Sequence, residues 1–341
     1  MNERAQRLGR FLASSEWRTA RRQPLAGDAS SRRYERLTMP DGRTAILMDA
    51  PAEGGHDVGR FVALAQHLSG AGFSPPVPYF ADVEAGFAVL EDLGDRLYAR
   101  VVKADETDEQ ALYQAAVDVL VALAGAPPAP GLKPLGASEM RDQIAPVFDW
   151  YCAGLGMKAG EAQRREIEGE LETVLTASLR MPGVMVLRDF HAENLIWLPE
   201  RQGVRRVGLL DFQDALIGDP AYDLVSLLQD ARRDLALGLE AAMKARFCGA
   251  LGLDGGDFEA GYAAVGLQRN LRILGVFARL CLDHGKTRYV DFLPRVWGHV
   301  WRNLRHPDLR GLGELLRPVL PEPTPAGLAK LRTKCVTVQT P

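Results

Sequence analysis

A chain of 341 residues with 47% hydrophobic content is long enough to bury a sizeable core, in one bilobed unit or two close domains. Its 41 basic and 44 acidic residues leave a formal charge of -3, which argues against nucleic acid or a membrane surface as the main partner. Cys152, Cys248, Cys281 and Cys335 make no Cys-x-x-Cys pair and have no His spacing suited to zinc, so reduced thiols are the simplest account.

From Met1 to Trp17 the chain contains Glu3 and Glu16 and lacks the uninterrupted apolar core of a secretion signal; Asn2 to Ser14 reads as a short helix. No apolar stretch is long enough to span a bilayer, and the cytoplasm is the expected compartment. Between Arg18 and Asp49, strand-like runs alternate with turns: Arg33 to Thr38, then Pro40-Asp41-Gly42, then Thr44 to Asp49, an antiparallel ribbon. Phe61, Val62, Leu64, Ala65 and Leu68 recur at helical spacing, closed by Gly70 and Gly72. Val77 to Ala81 and Phe87 to Leu90 suggest two further strands, and Glu91-Asp92-Leu93-Gly94 has the character of a hinge.

Beyond the hinge the pattern turns helical, with candidates at Glu106 to Leu123, Glu139 to Leu155, Glu161 to Leu179, Ala221 to Arg232, Leu235 to Leu251, Phe258 to Leu282 and Leu293 to Leu304. After Leu316, Pro318, Pro321, Pro323 and Pro325 mark a semi-extended tail that ends in a brief helix or in disorder. No internal repeat is visible. The expected organisation is a sheet-containing lobe over residues 1–92, a helical lobe over 93–317 and a Pro-rich tail over 318–341.

Three short apolar runs interrupt the helices, Val184 to Leu187, Leu195 to Leu198 and Val207 to Leu210, and each borders a polar residue: Asp189, Asn194 and Asp211. Two carboxylates and an amide at strand ends suit phosphoryl transfer from a nucleotide. That reaction leaves the protein mostly positioning and charge neutralisation, with one carboxylate orienting the attacking hydroxyl while an Asn and a second carboxylate hold magnesium. The competing structural reading makes Asp189 and Asn194 turn residues and Asp211 a helix cap.

A small antiparallel lobe, a hinge and a helical lobe carrying Asp-x4-Asn and then Asp is the layout of the protein-kinase-like fold, an α+β class. From about Arg22 to Arg305 the chain resembles the aminoglycoside phosphotransferase and choline kinase superfamily, a likeness strengthened by Gly218-Asp219-Pro220-Ala221-Tyr222-Asp223-Leu224. More narrowly, it resembles cytosolic kinases of bacterial cell-wall recycling that phosphorylate the anomeric hydroxyl of N-acetylmuramate and N-acetylglucosamine. The strings that carry this are Gly27-Asp28-Ala29-Ser30-Ser31-Arg32-Arg33-Tyr34, Leu47-Met48-Asp49-Ala50-Pro51, Arg188-Asp189-Phe190-His191 and the block from Gln268 to Lys286.

The resemblance implies ATP and Mg2+ as cofactors, a small amino-sugar acceptor and a sugar 1-phosphate product. It makes Asp189 the base and Asn194 and Asp211 the metal ligands. It puts Gly27, Asp28, Ser30, Ser31, Arg32 and Arg33 on the nucleotide, with backbone groups of Glu91 and Leu93 at adenine. Two departures stand out: Met48 occupies the place of the usual third-strand Lys, and Leu187 that of a His before the catalytic Asp. The missing cation must come from elsewhere. Arg32 and Arg33 point to opposite faces of a strand, so one of them reaches the phosphates or both are solvated.

His191 is either an imidazolium that neutralises developing charge, with activity falling as pH rises through about 6 to 7, or a neutral loop residue. Asp219 before Pro220 reads as a helix cap and Asp223 as a first-turn acid, both structural. For the acceptor, a lactyl carboxylate suits an arginine fork, and Arg188, Arg269, Arg272 and Arg279 are the candidates against a solvated helix face. Trp150, Tyr151 and Trp197 either stack on a sugar or belong to the core. Two alternatives stay open: another small alcohol of aminoglycoside, choline or homoserine type as acceptor, or a nucleotide-binding pseudokinase. Oligomeric state is not legible.

Overall fold

The computed structural model describes residues 3–25, 32–51, 54–104 and 109–335. In chain order these form α1 (Glu3–Ala13), β1 (Arg21–Pro24), β2 (Arg33–Thr38), β3 (Thr44–Asp49), α2 (Val58–Gly70), β4 (Pro78–Asp82), β5 (Phe87–Glu91), α3 (Tyr98–Ala104) and α4 (Glu109–Gly125). Then come α5 (Ala137–Asp142), α6 (Ala153–Leu155), α7 (Glu161–Ser178), β6 (Val184–Val186), β7 (Leu195–Trp197), β8 (Val207–Leu209), β9 (Leu216–Gly218), α8 (Ala221–Leu228), α9 (Leu239–Leu251), α10 (Gly255–Leu282), α11 (Leu293–Asn303), α12 (Arg310–Leu316) and α13 (Pro325–Lys334). They fall into two compact units: a sheet unit of Met1–Ala122 with Ala192–Asp214, and a helical unit of Leu123–His191 with Ala215–Pro341. The expected hinge, Glu91 to Gly94, lies inside the sheet unit. No helix among the described residues is long and apolar enough to cross a membrane.

In the sheet unit, five antiparallel strands run in the order β1-β2-β3-β5-β4. Alternation sends Leu37, Ala45, Leu47, Phe87 and Val89 to one face, where Leu8, Phe11 and Leu12 of α1 and Trp17 cover them. Met48 goes to the opposite face and is itself buried. β1 is Arg-Arg-Gln-Pro with all four residues exposed, so no apolar pattern announces it. A second, two-stranded antiparallel piece pairs β7 with β8.

In the helical unit, α10 is 28 residues long and buried over much of its length from Phe258 to Cys281. Glycine permits its closest packing: a β-carbon at Gly275 would collide with the backbone of Pro146 and Val147. Pro146 also breaks the single helix expected over Glu139 to Leu155. Proline lacks an N–H and clashes with the preceding turn, so α5 stops at Asp142 and the chain resumes as a π-helical turn, Val147–Cys152, running into α6.

The Pro-rich tail ends in a short helix, the first of the two expected alternatives. Pro325 sits in the first turn of α13, Thr324 caps it by accepting from the Gly327 amide (3.2 Å), and Leu331 is fully buried. The Lys334 ammonium donates to the Gly154 carbonyl at 2.8 Å. This return of the chain corrects the expectation of four reduced thiols: Cys281 and Cys335 form a disulfide with Cα atoms 5.2 Å apart, while Cys152 and Cys248 are free. Their separation of 54 residues concealed the pairing in the sequence.

Candidate active site

In the helical unit, β6 and β9 pair from Val184 with Gly218 to Val186 with Leu216, and the chain leaves β6 through Leu187 into Arg188. Arg188 has φ of 72°, a left-handed conformation that side chains other than glycine rarely adopt. Asp223, in the first turn of α8, holds it there. Its Oδ2 accepts from the Leu187 amide at 2.5 Å and its Oδ1 from the Arg188 amide at 2.8 Å. The Ser226 hydroxyl, one helical turn on, donates to the Arg188 carbonyl at 3.2 Å. Burial pushes the Asp223 carboxyl up to about 6 even though both amides favour its ionised form. Asp219, one residue before the N-cap Pro220, accepts from the Ala221 amide through Oδ1 at 2.8 Å at the start of the same helix.

Asp189 follows immediately. Burial alone would raise its pKa, but Arg269, with Arg272 and Arg188 among the surrounding charges, holds it below the usual carboxylate value. It is therefore ionised at neutral pH. Arg269 is itself fixed, with Nη2 donating to Ser226 Oγ and the guanidinium 5.5 Å from the Tyr222 ring centre. His191 is buried and pushed down to about 4, by desolvation first and then by Arg232. This shift favours the second of the two readings of this residue, a neutral imidazole: a cation here would lose its hydration, and nearby arginines would repel it.

In the sheet unit, the Leu210 amide donates to the Asn194 carbonyl at 2.9 Å, so Asn194 opens β7 directly beside the end of β8. Asp211 comes next and, with φ of 57°, is the only other non-glycine left-handed residue among those described. Its Oδ1 accepts from Arg32 Nη2 at 3.0 Å and from Gln213 Nε2 at 2.8 Å. Phe212 is fully buried, stacked 5.0 Å from Phe61. The Asp211 side chain remains 40% exposed, so its carboxylate keeps access to solvent.

These residues fit a hard divalent cation. Asp211 and Asn194 supply oxygen donors, and the Arg32 guanidinium on Asp211 marks that carboxylate as a cation acceptor. No group of three or more His, Cys, Asp or Glu is gathered for a metal among the described residues. A magnesium ion held by Asn194 and Asp211 would complete its shell with water and phosphate oxygens, as that ion commonly does.

The other nucleotide candidates differ in their surroundings. Arg32 is only 13% exposed at its side chain and also hydrogen-bonds Tyr34, whereas Arg33 is exposed. Gly27, Asp28, Ser30 and Ser31 lie outside the described residues. The Glu91 amide donates to the Val77 carbonyl at 2.8 Å and its carboxylate pairs with Arg201 at 2.5 Å, so that amide serves the sheet. Leu93 packs with Ile196 and Leu198 in an apolar cluster. The neighbouring Asp92 and Asp95 are both pinned by Arg36, at 2.7 and 2.8 Å. Arg279 is exposed and pairs with Asp283 at 3.4 Å, apart from the charges around Asp189. Tyr151 is core, its hydroxyl donating to Pro321 O at 2.7 Å.

The sequence reading missed the locking role of Asp223 and the bridging role of Ser226. A signal existed: both are polar residues inside Ala-Tyr-Asp-Leu-Val-Ser-Leu-Leu, a helix in which every residue is buried. A buried acid in such a helix needs donors, and unpaired backbone amides are the available kind.

Comparison with known proteins places this geometry in context. The phosphotransferase enzyme family matches residues 21–263. The N-acetylmuramate/N-acetylglucosamine kinase of Caulobacter vibrioides is 40% identical over 332 residues, covering 87% of this chain and 91% of that protein. The protein of the same name from Pseudomonas aeruginosa is 35% identical over 311 residues, covering 86% and 87%. Among solved structures, a choline/ethanolamine kinase family protein from Mesorhizobium loti superposes with a TM-score of 0.62 at 14% identity, covering 97% of this chain and 99% of that one. The amicoumacin kinase hAmiN, solved with AMP-PNP and Ca2+, gives 0.61 at 16%, covering 90% and 95%. At such identities the likeness shows a shared kinase-like fold.

Proposed function

Because this chain belongs to the phosphotransferase enzyme family and is a phosphotransferase acting on an alcohol group, we propose that it phosphorylates the anomeric hydroxyl of N-acetylmuramate and N-acetylglucosamine. The donor is ATP, the product a sugar 1-phosphate, and the setting the cytoplasmic salvage of peptidoglycan sugars. The names of the relatives support the acceptor class, and the nucleotide bound to a fold neighbour supports the donor. The observation that carries the assignment of residues is that the two strained non-glycine residues, Arg188 and Asp211, adjoin or constitute the candidate base and metal ligand.

Asp189 orients the acceptor hydroxyl and accepts its proton. A hemiacetal hydroxyl is more acidic than an ordinary alcohol, so a carboxylate of depressed pKa suffices. Arg269 keeps Asp189 ionised and, tied to Ser226 and Tyr222, limits its movement. Asn194 and Asp211 are the magnesium ligands, and the ion, when bound, supplies positive charge against the phosphate oxygens. Arg32, near Asp211, takes the place of the missing strand lysine, and Leu93 contributes backbone polar groups and an apolar surface to adenine. Neutral His191 packs the loop.

Phosphorus NMR with ATP, magnesium and a panel of N-acetylmuramate, N-acetylglucosamine, kanamycin and choline tests this reading, with Asp189→Asn alongside. The expected result is a sugar 1-phosphate resonance whose rate of appearance falls about 10²- to 10⁴-fold in the variant, with unchanged circular dichroism. Transfer to kanamycin or choline instead would replace the acceptor, and no transfer to any of the four would favour a pseudokinase.

A further inference from the structure

The helical unit gathers three guanidinium groups around Asp189, and they are not equivalent. Arg269 is 5% exposed, donates to Ser226 and lies over Tyr222, so it is a positioning residue for Asp189. Arg272, three residues further along α10, shares that face of the helix. Its pKa is lowered by burial, and Arg188 and Arg269 repel it, with Asp189 and Tyr222 as the opposing influences. The Arg188 Nε is buried without a hydrogen-bond partner. Neither the Arg188 nor the Arg272 side chain has a hydrogen bond or ion pair among the described residues.

A partly buried guanidinium without an acceptor is costly, because its hydration is lost and nothing replaces it. Two of them side by side repel each other as well. An anion between them reverses both terms, and the planar fork of arginine matches a carboxylate in particular. The acceptor is the natural source: both arginines surround the candidate base, whereas Asn194, Asp211 and Arg32, the candidates for metal and nucleotide, belong to the sheet unit.

We propose that Arg188 and Arg272 form a subsite for the carboxylate of an acidic amino-sugar acceptor and set the preference for N-acetylmuramate over the neutral N-acetylglucosamine. This rests on the proposed sugar kinase reading. It narrows the four arginine candidates to two, since Arg269 is committed to Asp189 and Arg279 to Asp283.

Steady-state kinetics of Arg272→Met and Arg272→Lys with both sugars provide the test. Met at this position lowers the ratio of kcat/KM for N-acetylmuramate to that for N-acetylglucosamine by about 10- to 100-fold, the worth of a charge-assisted hydrogen bond, and Lys restores part of it. An unchanged ratio, including one in which both sugars suffer equally, overturns the proposal. Calorimetric binding of each sugar to wild type and Arg272→Met in the presence of AMP-PNP separates this from the underlying reading. If wild type phosphorylates neither sugar, the kinase assignment fails. The subsite then stands only if N-acetylmuramate binds wild type at least tenfold more tightly than it binds Arg272→Met, and falls if the two bind alike or neither binds.

Discussion

The two left-handed residues are held in contrasting ways. Arg188 is locked from beneath by Asp223, a buried carboxylate with both oxygens engaged by backbone amides. Asp211 is held through side chains alone, Arg32 and Gln213, and remains 40% exposed. The first arrangement preorganises a loop and tolerates no exchange of partners. The second leaves a carboxylate whose cation can be exchanged, which suits the metal-binding role proposed for it. Rigidity beside the proposed base and exchangeability at the proposed metal ligand are complementary requirements of phosphoryl transfer.

The largest effects should come from breaking each arrangement at its centre. Asp211→Asn is expected to lower phosphoryl transfer on the order of 10³-fold, several kcal/mol of lost charge stabilisation, while shifting stability by less than about 0.5 kcal/mol. Asp223→Asn should behave oppositely in stability. An amide presents its own N–H to one of two buried backbone amides, so unfolding free energy drops by about 1 to 3 kcal/mol. Urea denaturation with parallel transfer assays checks both, and equal destabilisation by the two variants would remove the distinction.

The same contrast explains what could be read from sequence. β2 and β3 begin and end as expected because apolar alternation and the Pro-Asp-Gly turn define them locally. β1, four exposed residues, and β9, three residues paired to a strand far earlier in the chain, have no local signal. Asp189, Asn194 and Asp211 stand out as candidates in the sequence because each borders a short apolar run. For Asp223, an acid inside an apolar helix signals that donors are needed but not which ones, since its hydrogen bonds reach backbone 36 and 35 positions away. Nor does sequence reveal that burial lowers the His191 pKa.

A smaller effect sharpens the picture of Asp211. Arg32 is largely buried beside it and Arg33 is exposed. Arg32→Ala should weaken binding of a fluorescent ATP analogue with magnesium about tenfold, one lost charge-assisted interaction, and Arg33→Ala by no more than about twofold. If neither variant weakens binding, the cation that replaces the strand lysine lies elsewhere.

The smallest effect concerns pH and belongs to the helical unit. Burial is the main cause that lowers His191 and His299 to about 4. Each therefore contributes stability fully present above the unfolded value of about 6.5 and lost as pH falls toward 4. Burial raises Asp219 and Asp223 to about 6, so their contribution has the opposite sign: present below about 3.8 and lost as pH rises through 6. The two pairs oppose one another, and stability should be nearly flat between about pH 4 and 6. His299→Gln removes one of the acid-side losses and leaves the carboxylates alone. Relative to wild type, its unfolding free energy should therefore rise by about 1 kcal/mol or more between pH 6.5 and 4.5, measured by urea denaturation at each pH. A difference that stays constant with pH would mean that His299 titrates alike in the folded and unfolded chains, and the opposition inferred here would lose one of its members.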